Sequence, residues 1–132
     1  MKKIRVGVIG VGYLGTFHAE KYNNMANVDL VGVVDIDQTR ARSAAKRCST
    51  SAFFDHKNLF GKVDAVSIVV PTVDHYRISR DFLENDVDVM IEKPMTPTLK
   101  EADELIQYAE SRGLIIQAVS YTHLTLPTIL LV

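Results

Sequence analysis

The residues of this chain whose types and spacing could do chemistry are three glycines, one carboxylate beyond them, and a lysine set before a proline. The glycines are Gly10, Gly12 and Gly15 in GVIGVGYLGTFH, directly after an apolar run. A glycine-rich turn between a strand and a helix can be purely structural. It can also cradle a pyrophosphate: Gly10 permits the tight turn, Gly12 lets phosphate oxygens approach the backbone, and Gly15 lets helix and strand pack closely. The N-terminus of the helix then offers its free N–H groups to the anion. Asp35, in VVDID, lies twenty residues beyond Gly15. At that distance a carboxylate ending the second strand accepts hydrogen bonds from the ribose hydroxyls of adenosine. Strand, turn, helix and acidic residue together read as a dinucleotide site, with Gly10, Gly12, Tyr13, Leu14, Gly15, Asp35 and Ile36 as its candidate cofactor-binding residues. The charge of Asp35 repels a ribose 2′-phosphate and no Arg or Lys immediately follows it, so NAD is favoured over NADP. Arg40 and Arg42, further on, either reach such a phosphate or belong to a solvated face.

A second group of residues follows later apolar runs. VPTVDHYRIS continues from the end of AVSIVVP, and IEKPMTP from the end of DVMIEKP. Both segments lie at carboxyl ends of strands, where open α/β sheets bind their ligands. They add Pro71, Thr72, His75, Glu92, Lys93 and Pro94 to the candidates. Lys93 is the candidate catalytic residue, because an ammonium between an apolar strand and a proline is costly unless paired or used. Glu92 is its obvious neighbour, and the alternative is a lysine solvated at a loop edge. His75 reads as a capping or hydrogen-bonding group near the next helix rather than as chemistry, and His18 as a helix histidine. His56, in the polar stretch DHKN, has no companion ligand, so no metal site is expected.

These residues need elements to position them. Short β-branched runs (IRVGVIG, DLVGVVD, a weaker SAFF, AVSIVVP, DVMIEKP and LIIQAV) alternate with helical patterns. They predict buried parallel strands joined by right-handed crossovers, hence a doubly wound sheet with helices on both faces. Ala41, Ala44, Ala45 and Cys48 recur at helical spacing behind Asp37, a fitting N-cap. In TLKEADELIQYAESRG, Thr98 and Glu101 form a capping box, and Leu99, Ala102, Leu105, Ile106 and Ala109 form an apolar face. Gly113 ends that helix.

Composition narrows the class further. The chain has 132 residues, 47% hydrophobic and 23% charged, with a formal net charge of -1 and a single cysteine. That length suits one domain with a real core. The charge gives no footprint for nucleic acid or an anionic membrane. One cysteine forms no internal disulfide and fits the cytoplasm. The N-terminal apolar stretch is too short and too broken by glycine for a signal peptide or a membrane span.

GVGYLGTFH, VVDID, VPTVDH and especially IEKP, in this order and spacing, resemble the N-terminal half of the Gfo/Idh/MocA family (glucose-fructose oxidoreductase, inositol dehydrogenase and rhizopine-catabolism oxidoreductase). The likeness runs from the first strand to about Gln117. It implies a Rossmann domain followed by a second α/β domain that supplies the substrate face, an acid/base histidine with a nearby Asp, and often an oligomer interface. It also implies oxidation or reduction of a sugar, cyclitol or nucleotide-sugar carbon with a nicotinamide. By resemblance, Lys93 contacts substrate and nicotinamide ribose, Pro94 shapes its turn, and Thr72 and His75 line the cofactor path.

The expected partners are a small sugar-type substrate and, at full length, further copies of the same chain. Residues 1–118 read as the dinucleotide-binding domain of a longer enzyme of roughly 300 residues. Residues 119–132, within VSYTHLTLPTILLV, read as a tail foreign to the family, similar to a translated adapter or vector end; the alternative is a short interdomain strand. A competing functional reading is a non-catalytic dinucleotide-binding or redox-sensing module, in which Lys93 meets no substrate.

Overall fold

A computed structural model describes residues 2–119. The tail beyond Val119 lies outside the described residues. Six strands alternate with helices in chain order: β1 (Ile4–Ile9), α1 (Tyr13–Asn23), β2 (Val28–Val34), α2 (Gln38–Arg47), β3 (Ser51–Phe53), β4 (Ala65–Ile68), α3 (His75–Glu84), β5 (Asp88–Glu92), α4 (Leu99–Ser111) and β6 (Ile116–Val119). Short 3-10 turns at His56–Leu59 and Thr72–Asp74 precede β4 and α3.

Every strand pair is parallel, and the order across the sheet is β3-β2-β1-β4-β5-β6. From β1 the chain winds outward to β3, returns to the middle at β4, and winds outward the other way. The expected Rossmann fold is therefore present. The reversal opens a crevice at the carboxyl ends of β1 and β4, the place where such sheets bind ligands.

Burial on both faces explains the near-continuous apolar strands. On one face Val6, Val8 and Val33 pack with Ala19 and Tyr22 of α1 and with Ala44 and Ala45 of α2. On the other, Ile68, Val89 and Ile91 pack with Phe82 and Leu83 of α3 and with Leu105 and Ala109 of α4. The small side chains of α2 let it lie close to the sheet. Tyr22 fixes α1 more specifically, since its buried hydroxyl lies 2.6 Å from Ser67 Oγ on β4. Burial pushes the phenol pKa up to about 12, so it stays neutral and hydrogen-bonded.

Two details depart from the sequence pattern. Leu99 is 84% exposed and Ile106 37%, whereas Leu105 and Ala109 are buried. Leu99 and Ile106 are seven residues apart and share a flank of α4, so the expected five-residue face narrows to the positions that meet the sheet. The last strand begins at Ile116 rather than Leu114, and it includes Val119, whose carbonyl accepts the Lys93 N–H at 2.8 Å. Among the described residues no helix is long and apolar enough to cross a membrane.

Candidate functional site

The glycine turn closes the carboxyl end of β1. Gly10 donates its N–H to the Val34 carbonyl at 2.7 Å and has a φ of 92°, a conformation that favours glycine. A Cβ on Gly10 would collide with the Val69 carbonyl, and one on Gly15 would collide with the Gly10 carbonyl. The fold itself demands these two glycines.

Gly12 is different. Its φ of -69° is open to any residue, and among the described residues nothing lies within 4 Å of where its Cβ would stand. No packing among the described residues calls for glycine there. Its open side lines the crevice, and as the N-cap of α1 it provides no side-chain cap. In contrast, Asp37 caps α2 at 3.2 Å and Thr98 caps α4 at 3.3 Å. A helix whose first-turn donors are left to an incoming group, behind a residue that keeps the approach clear, fits the phosphates of a dinucleotide.

Asp35 stands beside this turn at the end of β2. Its Oδ2 accepts the Val11 N–H at 3.0 Å and its Oδ1 accepts the Asp37 N–H at 2.9 Å. The carboxylate thus ties the glycine turn to the end of β2, and each oxygen keeps a lone pair for a further donor. Asp35 and Ile36, the latter 92% exposed, line a cleft of about 550 Å³ with Gly10, Gly12 and Pro71. Arg40 also lines it, its Nε 3.8 Å from Asp37 Oδ2. Arg42 stacks on the Phe54 ring at 5.0 Å instead.

The opposite wall holds residues that sequence reasoning missed, among them Phe54, Asp74, Arg77 and Ile78. Asp74, Arg77 and Ile78 lie within the VPTVDHYRIS segment but were not singled out there, and Phe54 belongs to no motif; the end of β3 and the start of α3 bring them in. His56 joins the same wall, with its Nε2 2.8 Å from Asp81 Oδ2.

The remaining candidates do not all gather in this cleft. Tyr13, 85% exposed, faces a separate hollow between α1 and α2, and Leu14 packs against the core. Lys93 and Pro94 line another hollow of about 600 Å³, walled also by Met95, Pro97, Leu99 and Ala118. The Lys93 side chain is exposed, Glu92 is half-buried, and the Lys93–Pro94 peptide is cis. Thr72 is half-buried, whereas His75 is 2% exposed, and neither lines the cleft. The His75 ring lies between the two hollows, in contact with the carbonyls of Val70, Pro94 and Met95. His18 is wholly buried on α1, and burial lowers its pKa to about 4.

The sequence model of the Gfo/Idh/MocA oxidoreductase family, described as an NAD-binding Rossmann fold, matches residues 4–120. The chain belongs to this family. Among its relatives in the family, UDP-N-acetylglucosamine 3-dehydrogenase of Acidithiobacillus ferrooxidans is 42% identical over 88% of this chain and 36% of that protein. Inositol 2-dehydrogenase 1 of Paenarthrobacter aurescens is 33% identical over 85% of this chain and 34% of its own length. A solved structure of the Acidithiobacillus enzyme superposes with a TM-score of 0.84, covering 89% of this chain and 38% of that one. GenD2 from gentamicin A biosynthesis, solved in complex with NAD, superposes with a TM-score of 0.86 at 26% identity, covering 89% and 34%. The chain therefore spans about a third of the length of these relatives. Family membership agrees with the turn geometry, since the glycine free of internal packing faces the cleft that a dinucleotide would fill.

Proposed function

We propose that this chain is the dinucleotide-binding half of a dehydrogenase that moves a hydride between a nicotinamide and a carbinol carbon of a sugar, cyclitol or nucleotide-sugar. The observation that carries the reading is Gly12, a glycine unexplained by packing, at the uncapped start of α1 and on the same cleft wall as Asp35. Gly12 and the first turn of α1 would hold the pyrophosphate. Asp35, already oriented by two backbone donors, would accept the ribose hydroxyls and disfavour a 2′-phosphate. With the adenosine half beside β2, the other half of a dinucleotide extends over the end of β4 toward β5 and Lys93. A bound nicotinamide supplies the redox chemistry. The Lys93 ammonium would orient the substrate hydroxyl and support charge change at the reacting carbon.

The 42% identity to a UDP-N-acetylglucosamine 3-dehydrogenase favours a nucleotide-sugar within the wider substrate class. The family resemblance likewise supports a homo-oligomer at full length, and the single cysteine fits a cytoplasmic setting. The binding reading is tested by fluorescence titration of the chain with NADH and NADPH. Tighter binding of NADH is expected, and equal affinities would sink the assignment of NAD.

A further inference from the structure

His75 opens α3 with its ring almost wholly buried. Its Nε2 lies 2.9 Å from the Val70 carbonyl oxygen. Its Nδ1 lies 2.9 Å from the Met95 carbonyl oxygen and 3.1 Å from that of Pro94. Val70 is on the wall of the glycine cleft, whereas Pro94 and Met95 wall the hollow that holds Lys93. The β4–β5 pairing ends at Ile68 and Ile91. Beyond those residues, the described hydrogen bonds joining the two loops run through the His75 ring.

The geometry points to His75 as a positioning residue: an imidazole brace that sets the Lys93 turn against the far wall of the dinucleotide cleft. The inference rests on the dinucleotide reading above and adds a role that the glycine motif does not contain. The two ring nitrogens lie on different edges of one rigid plane, so a single side chain reaches both loops. All three neighbouring oxygens are carbonyls and can only accept, so a ring nitrogen holds its loop only while it carries a proton, and the two loops are held together by the doubly protonated ring. An aliphatic residue of similar size would fill the space without holding either loop. Loosening the brace should disturb the half of the cleft toward β5 and leave the adenosine half, held by Asp35 and Gly12, as it was.

The test compares NADH with ADP, which keeps the adenosine and pyrophosphate but lacks the nicotinamide half. In the full chain, His75→Leu should weaken NADH about tenfold, the scale of a lost hydrogen bond, and change ADP affinity by less than about twofold. His75→Gln, which retains a donor, should recover part of the NADH loss. Hydrogen exchange supplies a readout independent of ligand. The backbone amides of Met95 and Thr96 should exchange faster in His75→Leu than in the parent, while those of α1 stay unchanged.

Equal weakening of NADH and ADP, or no change in either, would overturn the brace. So would unaltered exchange at Met95 and Thr96. If the parent chain bound neither ligand, the dinucleotide reading would fail, and the exchange measurement would still decide the role of His75. If His75→Leu did not fold, the NADH-to-ADP affinity ratio and exchange of His75→Gln would carry the test.

Discussion

Replacing Asp35 should damage the chain before any cofactor is added. In a dinucleotide site a ribose-binding carboxylate is usually treated as a ligand for the sugar alone. Here its Oδ2 accepts the N–H of Val11, a residue only 3% exposed, and its Oδ1 accepts the N–H of Asp37 on an exposed loop. Asp35→Ala strands the Val11 donor, at a cost of about 1 to 3 kcal/mol for an unsatisfied buried group. The Asp37 donor turns to water and adds little. For a domain of this size the loss corresponds to roughly 3 to 10 °C in melting temperature. Asp35→Asn should cost less, because its amide oxygen can keep Val11 while its NH2 faces the exposed donor. Thermal and urea unfolding of the ligand-free chain measure these differences. NADH titration then measures a separate loss of about 1 to 3 kcal/mol in binding, roughly 5- to 150-fold, from the missing ribose acceptor. An Asp35→Ala variant that melted with the parent would refute the structural anchor, and one that bound NADH normally would refute the ribose contact.

The three glycines should separate in the same assays: Gly12→Ala should fold normally and bind NADH at least about tenfold more weakly, whereas Gly15→Ala should lose more than about 3 kcal/mol of stability from its backbone collision. Burial holds His18 neutral down to about pH 4, so between there and about pH 6.5 the unfolded chain takes up a proton that the folded chain refuses. Stability is then full above about pH 6.5 and falls as the pH drops, by about 2 kcal/mol at pH 5; urea unfolding of His18→Gln at pH 7 and pH 5 should show a smaller decline. Asp64 behaves differently, because its hydrogen bond to Arg5, at 2.9 Å from Nη2, holds its carboxyl below the usual range. Its contribution is present above about pH 4 and is lost as the pH falls through the lower folded value. The exposed pair makes it no more than about 1 kcal/mol, read as a parent-minus-Asp64→Asn difference that vanishes in acid. In a full-length enzyme carrying this domain, Lys93→Ala should lower kcat with a sugar-type substrate far more than it changes NADH affinity; unchanged kcat would remove Lys93 from the chemistry.

Local signals made the sheet and the glycine turn legible. β-branched runs, a capping Asp37 and the small residues of α2 all describe the same elements, so pattern and fold agree. The outer flank of α4 was not legible, because helical periodicity marks apolar spacing without saying how wide a strip the sheet covers; Leu99 and Ile106 keep the period yet remain exposed. Phe54, Arg77 and Ile78 were missed for another reason. They reach the cleft through the crossing from β3 to β4 and the placement of α3, contacts that leave no spacing in the chain. Asp35 was found for its charge at the end of β2, but its bond to Val11 joins residues 24 positions apart and follows only from the parallel register of β1 and β2.

The cleft is held by side chains bonded to backbone where the strand ladders stop. Asp35 ties the end of β2 to the turn after β1, and His75 ties the loop after β4 to the turn after β5. Each sits beside the middle of the sheet, where the winding reverses and neighbouring strand ends diverge into different loops. A binding crevice needs that divergence to admit a ligand, and it also needs the loops fixed if their backbone donors and side chains are to meet the ligand without reorganisation. Cofactor preference and loop geometry are therefore coupled at Asp35. A change intended to admit a 2′-phosphate must remove the charge and still give Val11 an acceptor. Asp35→Ser meets the first requirement and meets the second only if its shorter hydroxyl reaches the Val11 N–H. The variant should gain affinity for NADPH relative to NADH while melting below the parent. If it melted with the parent and gained NADPH binding, the two roles would be separable and the coupling argument wrong.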